Sequence, residues 1–251
     1  MAYVDEVLAD SPLVYYRLDG TVGRTVDSSG NGKTLTEVPQ SNGFFNQDGL
    51  IYNDSNGAQR FNAGAGDGYL SLPNASASTV RFEADQSFTV EAWCKLLEEP
   101  DTNYNRILSW SDESNASTNG YMLVYQQSGG WFFVKRNTGV DNTAVQSGTE
   151  FAPRMNQIDH VVGYYDTTAN EIGVYVNGTL RDTTADTTTQ GAYAGDLWIG
   201  RGQFGGTSGF HTMDEVAIYS GRLSEARILA HYEAGQSKKQ TAYYQRRRSS
   251  R

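Results

Sequence analysis

The sequence predicts an all-β protein, a sandwich or barrel of short strands with a little helix at each end. Apolar runs recur roughly every 10–20 residues, separated by Gly, Asn, Asp and Ser, a pattern typical of strands joined by turns. Aromatic residues are abundant, with 16 Tyr and 10 Phe, whereas charged residues make up only 20% of the 251. This composition argues against a disordered chain, a helical bundle and a coiled coil.

The chain opens with a short predicted helix. Val4, Val7 and Leu8 have helical spacing, and Pro12 ends the run, so we expect one or two turns with one apolar side. That side needs a surface to cover it.

Ten apolar runs are predicted to be strands. They are residues 14–18, 69–73, 87–96, 106–110, 120–126, 131–136, 160–166, 171–176, 196–200 and 210–219. After the run 171–176, Asn177-Gly178 predicts a type I′ hairpin turn, because these two residue types tolerate the positive φ that this turn requires. Within that run Ile172, Val174 and Val176 share one face, which we expect in the core, with the opposite face wet or lightly packed.

The last predicted element is a helix over residues 224–232. Ser224 is its expected N-cap and Gly235 its C-terminal stop. We therefore predict three parts, a helical lead-in at 1–12, one β-domain at 13–235 and a basic tail at 236–251.

Charge is unevenly distributed along the chain. The net charge is −9, but residues 238–251 hold six basic residues and no acidic one. The rest has 14 basic against 29 acidic residues, a balance of −15. We expect no nucleic-acid partner, because such a body repels phosphate, although the tail interleaves cations with aromatic residues as single-strand binders do.

Several classes of protein are excluded or disfavoured. A single cysteine, Cys94, excludes an internal disulfide, and its place in an apolar run predicts a small buried side chain. No run approaches the length of about 18 apolar residues that a membrane-spanning helix needs. The first residues are acidic rather than basic, so no secretory signal is visible.

Seven motifs occur in an order that resembles the laminin-G-like or concanavalin A-like jelly roll. They are VYYRLDG (14–20), DSSGNG (27–32), RFNAGAGDGYLSLP (60–73), SFTVEAW (87–93), HVVGYYDTTANEIGVYVNG (160–178), LWIGRG (197–202) and MDEVAIYSGRLSEARILAHY (213–232). The resemblance implies two antiparallel sheets packed face to face, in a module that binds carbohydrates or proteins more often than it catalyses. The lead-in YVDEVLADSPLVYYRLDG is similar to the start of tail-associated proteins of phages that infect actinobacteria.

The sequence predicts no enzyme. Glucanases with this fold place alternate carboxylates on one strand face, and no such strand is evident. Asp214 and Glu215 are adjacent, so a regular strand would send them to opposite faces, and Glu91 stands alone. The three histidines, at positions 160, 211 and 231, lie in separate elements.

A structural Ca²⁺ ion is the metal that the sequence favours. The loop 27–32 is rich in oxygen ligands and glycine, as Ca²⁺ requires, with Asp27 and Asn31 as candidate ligands. The family resemblance adds Asp214. The alternative is that Asp27 and Asn31 form Asx turns without a metal.

Aromatic residues in or beside Asn/Gly-rich loops are the candidates for glycan binding. Sugars combine CH faces with hydroxyls, which suits an aromatic ring beside amide groups. The candidates are Trp131, Tyr104, Asn105, Tyr193 and Phe204. For Trp131 core packing is the alternative, and we expect Trp93, Trp110 and Trp198 in the core.

The basic tail is expected to dock onto neighbouring subunits of an oligomeric assembly, the alternative being a solvated disordered end. The residues predicted to make this contact are Lys238, Lys239, Tyr243, Tyr244, Arg246, Arg247 and Arg248. The apolar N-terminal turns are expected to dock in the same way.

Together these observations predict a non-enzymatic accessory protein of a phage virion, anchored to other virion proteins by its termini, that binds host-surface glycan or protein. A minor tail position is the first expectation, and capsid decoration is the alternative. A bacterial cell-surface glycan-binding module is a third reading, which would require an export route.

Overall fold

The protein folds as a jelly-roll sandwich of two antiparallel sheets, with short helices outside the sheets. The structure is a computed structural model that describes residues 2–19, 25–38, 45–61, 68–83, 86–97, 105–111, 119–126, 129–136, 143–148, 154–191, 194–201 and 211–236. This confirms the predicted fold class.

Most of the described elements are strands. In chain order they are α1 (Tyr3–Ala9), β1 (Val14–Tyr16), β2 (Thr36–Val38), β3 (Phe45–Asp48), β4 (Gly57–Phe61), β5 (Tyr69–Leu72), α2 (Asn74–Ala77), a 3₁₀ turn (Ser78–Val80), β6 (Phe88–Leu96), β7 (Asn105–Ser111), β8 (Gly120–Gln126), β9 (Gly130–Arg136), β10 (Thr143–Gln146), β11 (Ile158–Asp166), β12 (Glu171–Val176), β13 (Thr179–Ala185), β14 (Leu197–Ile199), β15 (His211–Ser220) and α3 (Glu225–Gly235). None of these helices is long and apolar enough to cross a membrane.

Two sheets share these strands. Sheet A has eight strands in the order β13-β12-β11-β6-β15-β4-β3, with β1 also paired to β15. Sheet B has seven strands in the order β10-β9-β8-β7-β14-β5-β2. Strands distant in sequence are therefore neighbours in both sheets, as in β6 beside β15 and β7 beside β14.

The main core lies between the two inner faces. Alternate residues of each strand point into it, because successive side chains of a strand face opposite sides of the sheet. Ile172, Val174 and Val176 of β12 are all buried there, as the sequence predicts.

A second apolar layer covers the outer face of sheet A. Tyr3 and Val7 of α1 and Ile228 of α3 are buried in this layer. The chain itself therefore covers Tyr3 and Val7 of α1, whereas Leu8 is 40% exposed. Docking of α1 onto a neighbouring subunit stays a prediction. Tyr175 of β12 is also buried here, with its hydroxyl donating to Glu225 at 3.3 Å, so this face is not wet.

Charged contacts join the first and last helices. The Nη2 of Arg227 donates to the Glu6 carboxylate at 2.8 Å, and its Nε donates to the Asp10 carboxylate at 2.9 Å. Both acids belong to α1 or its C-terminal end, whereas Arg227 lies in the first turn of α3. The two helices thus form one covering layer on sheet A.

Local turn and cap predictions are confirmed. Asn177 and Gly178 have φ values of 55° and 71°, the left-handed pair that a type I′ turn needs. The side chain of Ser224 caps α3 by accepting from the N–H of Arg227, and Gly235 is the last helical residue. All ten predicted strands are present, and β13 is the second strand of the predicted Asn177-Gly178 hairpin, whereas β2, β3, β4 and β10 were not predicted because their short runs lack sustained alternation.

Candidate functional site

The outer face of sheet B carries a half-exposed aromatic pair. Leu197 and Ile199 of β14 point into the core and are fully buried, so Trp198 between them points outward. Tyr69, at the start of the neighbouring strand β5, lies on the same outer face and is also half-buried.

The two rings form a compact group with one arginine. The ring centroids of Tyr69 and Trp198 are 5.1 Å apart and the planes are inclined by 11°. The guanidinium of Arg201 lies 5.1 Å from the centroid of Tyr69 and 5.9 Å from that of Trp198. The three groups are therefore mutually adjacent, and we call Tyr69, Trp198 and Arg201 the aromatic platform.

The residues around Tyr69 and Trp198 on the outer face of sheet B leave these two rings accessible at strands β5 and β14. Ser71 and Ser109 are the direct cross-strand neighbours of Trp198, and serine is small enough to add little height beside the indole. Further along the face, Met122, Val124, Phe132 and Val134 form an apolar cluster that is buried. Among the strand aromatic residues whose burial the structure describes, Tyr69 and Trp198 are the ones that are partly exposed.

The predicted glycan-binding residues lie elsewhere. Trp131 is fully buried on the inner face of sheet B, where its indole N–H donates to the carboxylate of Asp159 at 3.3 Å, so an exposed role is wrong. Asn105 is buried too. Tyr104, Tyr193 and Phe204 lie outside the described residues, as does the whole segment 238–251 with the predicted partner contacts.

Trp198 was expected in the core and is instead only partly buried, on the outer face of sheet B. Trp110 is fully buried in the main core, and Trp93 is buried in the layer beneath the helices. The signal that identifies Trp198 is the alternation Leu197-Trp198-Ile199, which assigns it to the face opposite the two aliphatic residues.

The three predicted metal ligands are engaged in hydrogen bonds. The carboxylate of Asp27 accepts from the backbone N–H groups of Tyr15, Ser29 and Lys33 at 2.9–3.1 Å. The side-chain amide of Asn31 donates to the backbone carbonyls of Pro12 and Leu13. The contact from the N–H of Ser29 makes Asp27 an Asx turn, as the alternative predicts, whereas the contacts of Asn31 are to a distant segment and are not an Asx turn.

Asp214 is buried apart from that loop. Its carboxylate accepts from the N–H of Leu50 at 2.9 Å. Within the described part of the chain, no three or more His, Cys, Asp or Glu side chains are placed to hold one metal ion. Calcium binding stays a prediction.

Asp214 and Glu215 do not point to opposite faces. The pairing of β15 with β6 shifts register between Asp214 and Ala217, and Glu215 has a φ of 55°, so the strand bulges here. The amide of Asn56 reaches both carboxylates, at 3.3 Å and 3.4 Å. Burial raises the pKa of Glu215 to about 7 and that of Asp214 well above its usual range.

Glu91 does not stand alone. Its carboxylate contacts the Nε2 of His160 at 3.0 Å and the Nδ1 of His231 at 3.1 Å, and it accepts from the hydroxyl of Tyr219. The fold therefore brings together two of the three histidines that the sequence places in separate elements. We call Glu91, His160, Tyr219 and His231 the Glu91 cluster.

The Glu91 cluster is sealed beneath the helices. Burial by itself would raise the pKa of Glu91, but His231 and His160 together hold it well below its usual range. Burial would lower the pKa of His231, but Glu91 and Asp10 raise it to about 9. The contact of His231 with Glu91 joins α3 to sheet A. None of the four side chains is exposed, so the cluster offers no group to a ligand from solvent.

Comparisons with solved structures find the same fold. Domain 4 of AbnA, a GH43 extracellular arabinanase from Geobacillus stearothermophilus solved with arabinotriose, is 17% identical with a TM-score of 0.63, covering 88% of this chain and 98% of that one. The binding domain of Paraclostridial mosquitocidal protein 1 is 14% identical with a TM-score of 0.67, covering 90% of this chain and 52% of that one.

A third similar structure belongs to botulinum neurotoxin type C, from work on its cell entry through two ganglioside molecules. It is 14% identical with a TM-score of 0.64, covering 91% of this chain. This chain spans only about half of the toxin chains, 52% in both cases. No curated protein matches the sequence.

The family is shown by the sequence itself. The laminin G model described as the concanavalin A-like lectin/glucanases superfamily matches residues 62–229, two thirds of the chain. That stretch runs from the residue after β4 into α3 and includes most of both sheets. The chain belongs to the concanavalin A-like lectin/glucanase superfamily.

Proposed function

We propose that this protein is a non-enzymatic carbohydrate-binding domain that uses the aromatic platform to hold its ligand. The observation that carries the proposal is the half-exposed pair of Tyr69 and Trp198 on the outer face of sheet B. Sugar rings present CH groups that pack on aromatic faces, and Arg201 adds a hydrogen-bond donor at the edge of the same surface.

The similar structures support a binding role. One is a domain of an arabinanase in complex with arabinotriose, and another comes from a toxin that depends on two ganglioside molecules for cell entry. Both therefore concern carbohydrate-containing ligands, and both share the two-sheet fold with this chain.

Buried carboxylates support a non-enzymatic role. A retaining or inverting glycosidase needs two carboxyl groups beside its substrate. Asp214, Glu215 and Glu91 are fully buried here and bonded to other groups of the protein. These three acids are the ones in sheet A that the sequence offers as catalytic candidates.

We further propose that this domain is carried on a phage virion, as a minor tail protein, with capsid decoration as the alternative position. The resemblance of residues 3–20 to tail-associated phage proteins supports this. Because α1 buries Tyr3 and Val7 against its own sheet, the main anchoring role falls to the basic residues of 238–251. Immunogold labelling of intact particles tests the location, and absence of the protein from purified virions would refute it.

Binding to a panel of oligosaccharides tests the carbohydrate role. For any sugar that binds, we expect Trp198→Ala to weaken binding about 5- to 30-fold, because a stacked ring contributes about 1–2 kcal/mol. Tyr52→Ala is the matched control, since Tyr52 is an aromatic residue 38% exposed in the layer over sheet A. Equal losses in the two variants, or no loss in Trp198→Ala, would refute the platform as the binding surface.

A further inference from the structure

Arg201 is the cation of the aromatic platform, and among the described residues no acid is paired with it. Its guanidinium lies over Tyr69 and Trp198, and no carboxylate pairs with it in the part of the chain that the structure describes. Arginine presents a planar set of donors that fits a carboxylate with two parallel hydrogen bonds. The platform therefore places an anion-binding group directly beside two stacking surfaces.

Two further arginines lie on the described strands around the platform. The cross-strand register determines which residues share the outer face of sheet B. The paired residues across four strands are Trp198, Ser109, Met122 and Val134. By this register Arg106 and Arg136 also lie on it. Among the described strand residues of this outer face, none is Asp or Glu.

This distribution differs from that of the protein as a whole. Outside the basic tail the chain carries 14 basic against 29 acidic residues, so a sheet face with arginines and no acid on its strands is unlike the average surface. An anionic ligand approaching sheet A would meet a surface closed by helices on which Asp5 and Glu233 are exposed. Electrostatic complementarity favours the outer face of sheet B instead.

We infer that the ligand of the platform is an acidic saccharide, one whose sugar ring stacks on Tyr69 and Trp198 while its anionic group pairs with Arg201. The inference rests on the proposed carbohydrate-binding function and specifies its ligand class. A neutral sugar of the same shape leaves the guanidinium without an ionic partner in a contact that has been partly stripped of water, which weakens its binding.

Matched ligand pairs test the inference on the full-length protein. Trigalacturonate is compared with its methyl ester, which removes only the charge, and sulfated dextran oligomers are compared with unsulfated ones. We expect one of the two anionic ligands to bind about tenfold or more tightly than its neutral partner, the size of effect that a charge-assisted hydrogen bond gives. The pair that shows the difference identifies carboxylate or sulfate as the anionic group.

Variants then assign the preference to Arg201. Arg201→Gln should weaken binding of the anionic ligand more than that of its neutral partner and so remove the preference between them, while Arg201→Lys should restore part of it. Arg154→Gln is the matched control, because Arg154 is exposed in the turn before β11. Thermal melting of each variant shows whether the fold is intact.

The basic tail is the competing source of anion binding and is tested separately. A triple variant with Arg246, Arg247 and Arg248 changed to Gln should keep the preference for the anionic ligand. Loss of the preference in that variant, with retention in Arg201→Gln, would overturn the inference. Equal binding of charged and neutral sugars that depends on Trp198 would overturn it too and leave the proposed function standing. Binding of no saccharide at all would remove both.

Discussion

Lys135 is a charged residue placed inside the sandwich at the edge of sheet B. Its side chain is fully buried, with the Nζ 3.2 Å from the carboxylate of Asp186 and 4.0 Å from the ring centroid of Tyr165. The ammonium also donates to the carbonyl of Thr188. These partners compensate the loss of water, and they hold the segment after β13 against β9.

Removing one partner of this pair should cost more than removing both charges. We expect Lys135→Met to lower the free energy of unfolding by about 3–5 kcal/mol, because the Asp186 carboxylate is left buried without its cation. Lys135→Met combined with Asp186→Asn should lose less, since the amide oxygen of Asn still accepts from the N–H of Thr188. Denaturant unfolding measures the free energy of unfolding of the two variants. A double variant that is no more stable than Lys135→Met would contradict the prediction.

Calcium binding at the 27–32 loop is a prediction of the same scale. If Asp27 and Asn31 ligate Ca²⁺, millimolar Ca²⁺ should raise the melting temperature of the protein, and Asp27→Asn should remove the rise. Melting with Mg²⁺ at equal concentration is the control. No change in melting temperature with Ca²⁺ would refute the site and leave the three backbone contacts of Asp27 as its role.

Residue-level expectations failed at Trp131, where they depended on the neighbouring residue types, and at Asp214 and Glu215, where a bulge interrupts the regular alternation. Trp131 follows a pair of glycines and was weighed as exposed, yet its strand position sends it to the core. The bulge that brings Asp214 and Glu215 together was not predictable, because it is set by pairing with β6, more than 100 residues away in sequence. Side-chain direction at such points depends on the partner strand.

At the scale of elements, the Glu91 cluster links α1, α3 and sheet A through charge. The Nε2 of His231 lies 2.9 Å from the Asp10 carboxylate, while its Nδ1 contacts Glu91 of β6. One protonated imidazole therefore lies between a carboxylate of the helical layer and a carboxylate of the sheet. Its charge state determines how firmly the helices attach.

The stability of the protein should fall as His231 loses its proton. The pKa of His231 is raised from 6.5 to about 9, so its protonated form stabilises the fold fully below pH 6.5, and that contribution is lost as the pH rises through 9. The loss is at most about 3 kcal/mol. Denaturant unfolding between pH 6 and 10 measures it, and His231→Gln should flatten the curve in this range. Parallel curves for the two proteins would contradict the assignment.

Deprotonation of Glu215 should also lower the free energy of unfolding, at a lower pH than that of His231. Its pKa is raised from 4.5 to about 7, so the folded state favours the protonated acid, and stability should decline as the pH rises from 4.5 to 7. Glu215→Gln should make this decline smaller, the remainder coming from Asp214, whose pKa is also raised, and should leave the fall near pH 9 unchanged. Unfolding curves at pH 5 and pH 7 for both proteins separate this effect from that of His231.

Gly235 fixes the distance between α3 and sheet A. A Cβ atom at this position would lie 2.4 Å from the indole ring of Trp93. We expect Gly235→Ala to lower the free energy of unfolding by about 1–3 kcal/mol, because the helix must move away from the tryptophan. The melting temperature should fall accordingly. Gly221→Ala serves as a comparison in which strain comes from a φ of 93° with no neighbour within 4 Å. An unchanged melting temperature in Gly235→Ala would contradict the tight contact.

At the scale of the whole molecule, deletion of residues 238–251 tests the anchoring role. We expect the shortened protein to fold with an unchanged melting temperature and to be lost from phage particles. Electron microscopy and protein analysis of purified virions measure incorporation, with the triple Gln variant of the tail arginines as a milder control. Normal incorporation of the shortened protein would show that the tail is dispensable.

The sandwich itself was predictable, because turn residues, strand alternation and the order of motifs are all local or sequential features. Asn177-Gly178 and Ser224 determine their turn and cap from adjacent residues alone. The aromatic platform and the Glu91 cluster were not predicted, since each joins side chains from elements far apart in the chain. Tyr69 meets Trp198 across more than 100 residues, and Glu91 meets His231 across 140.

The helices α1 and α3 cover the outer face of sheet A, whereas the aromatic platform lies on the opposite side of the sandwich. Ala2 and Gln236 line one surface depression of about 540 Å³, beside α1 and α3, whereas the platform lies on the outer face of the other sheet. Any protein or support joined near residue 2 or residue 236 is therefore attached on the side away from Trp198. Oriented coupling through either position should present every copy of the platform outward, as an array of identical binding faces for multivalent contact with a surface.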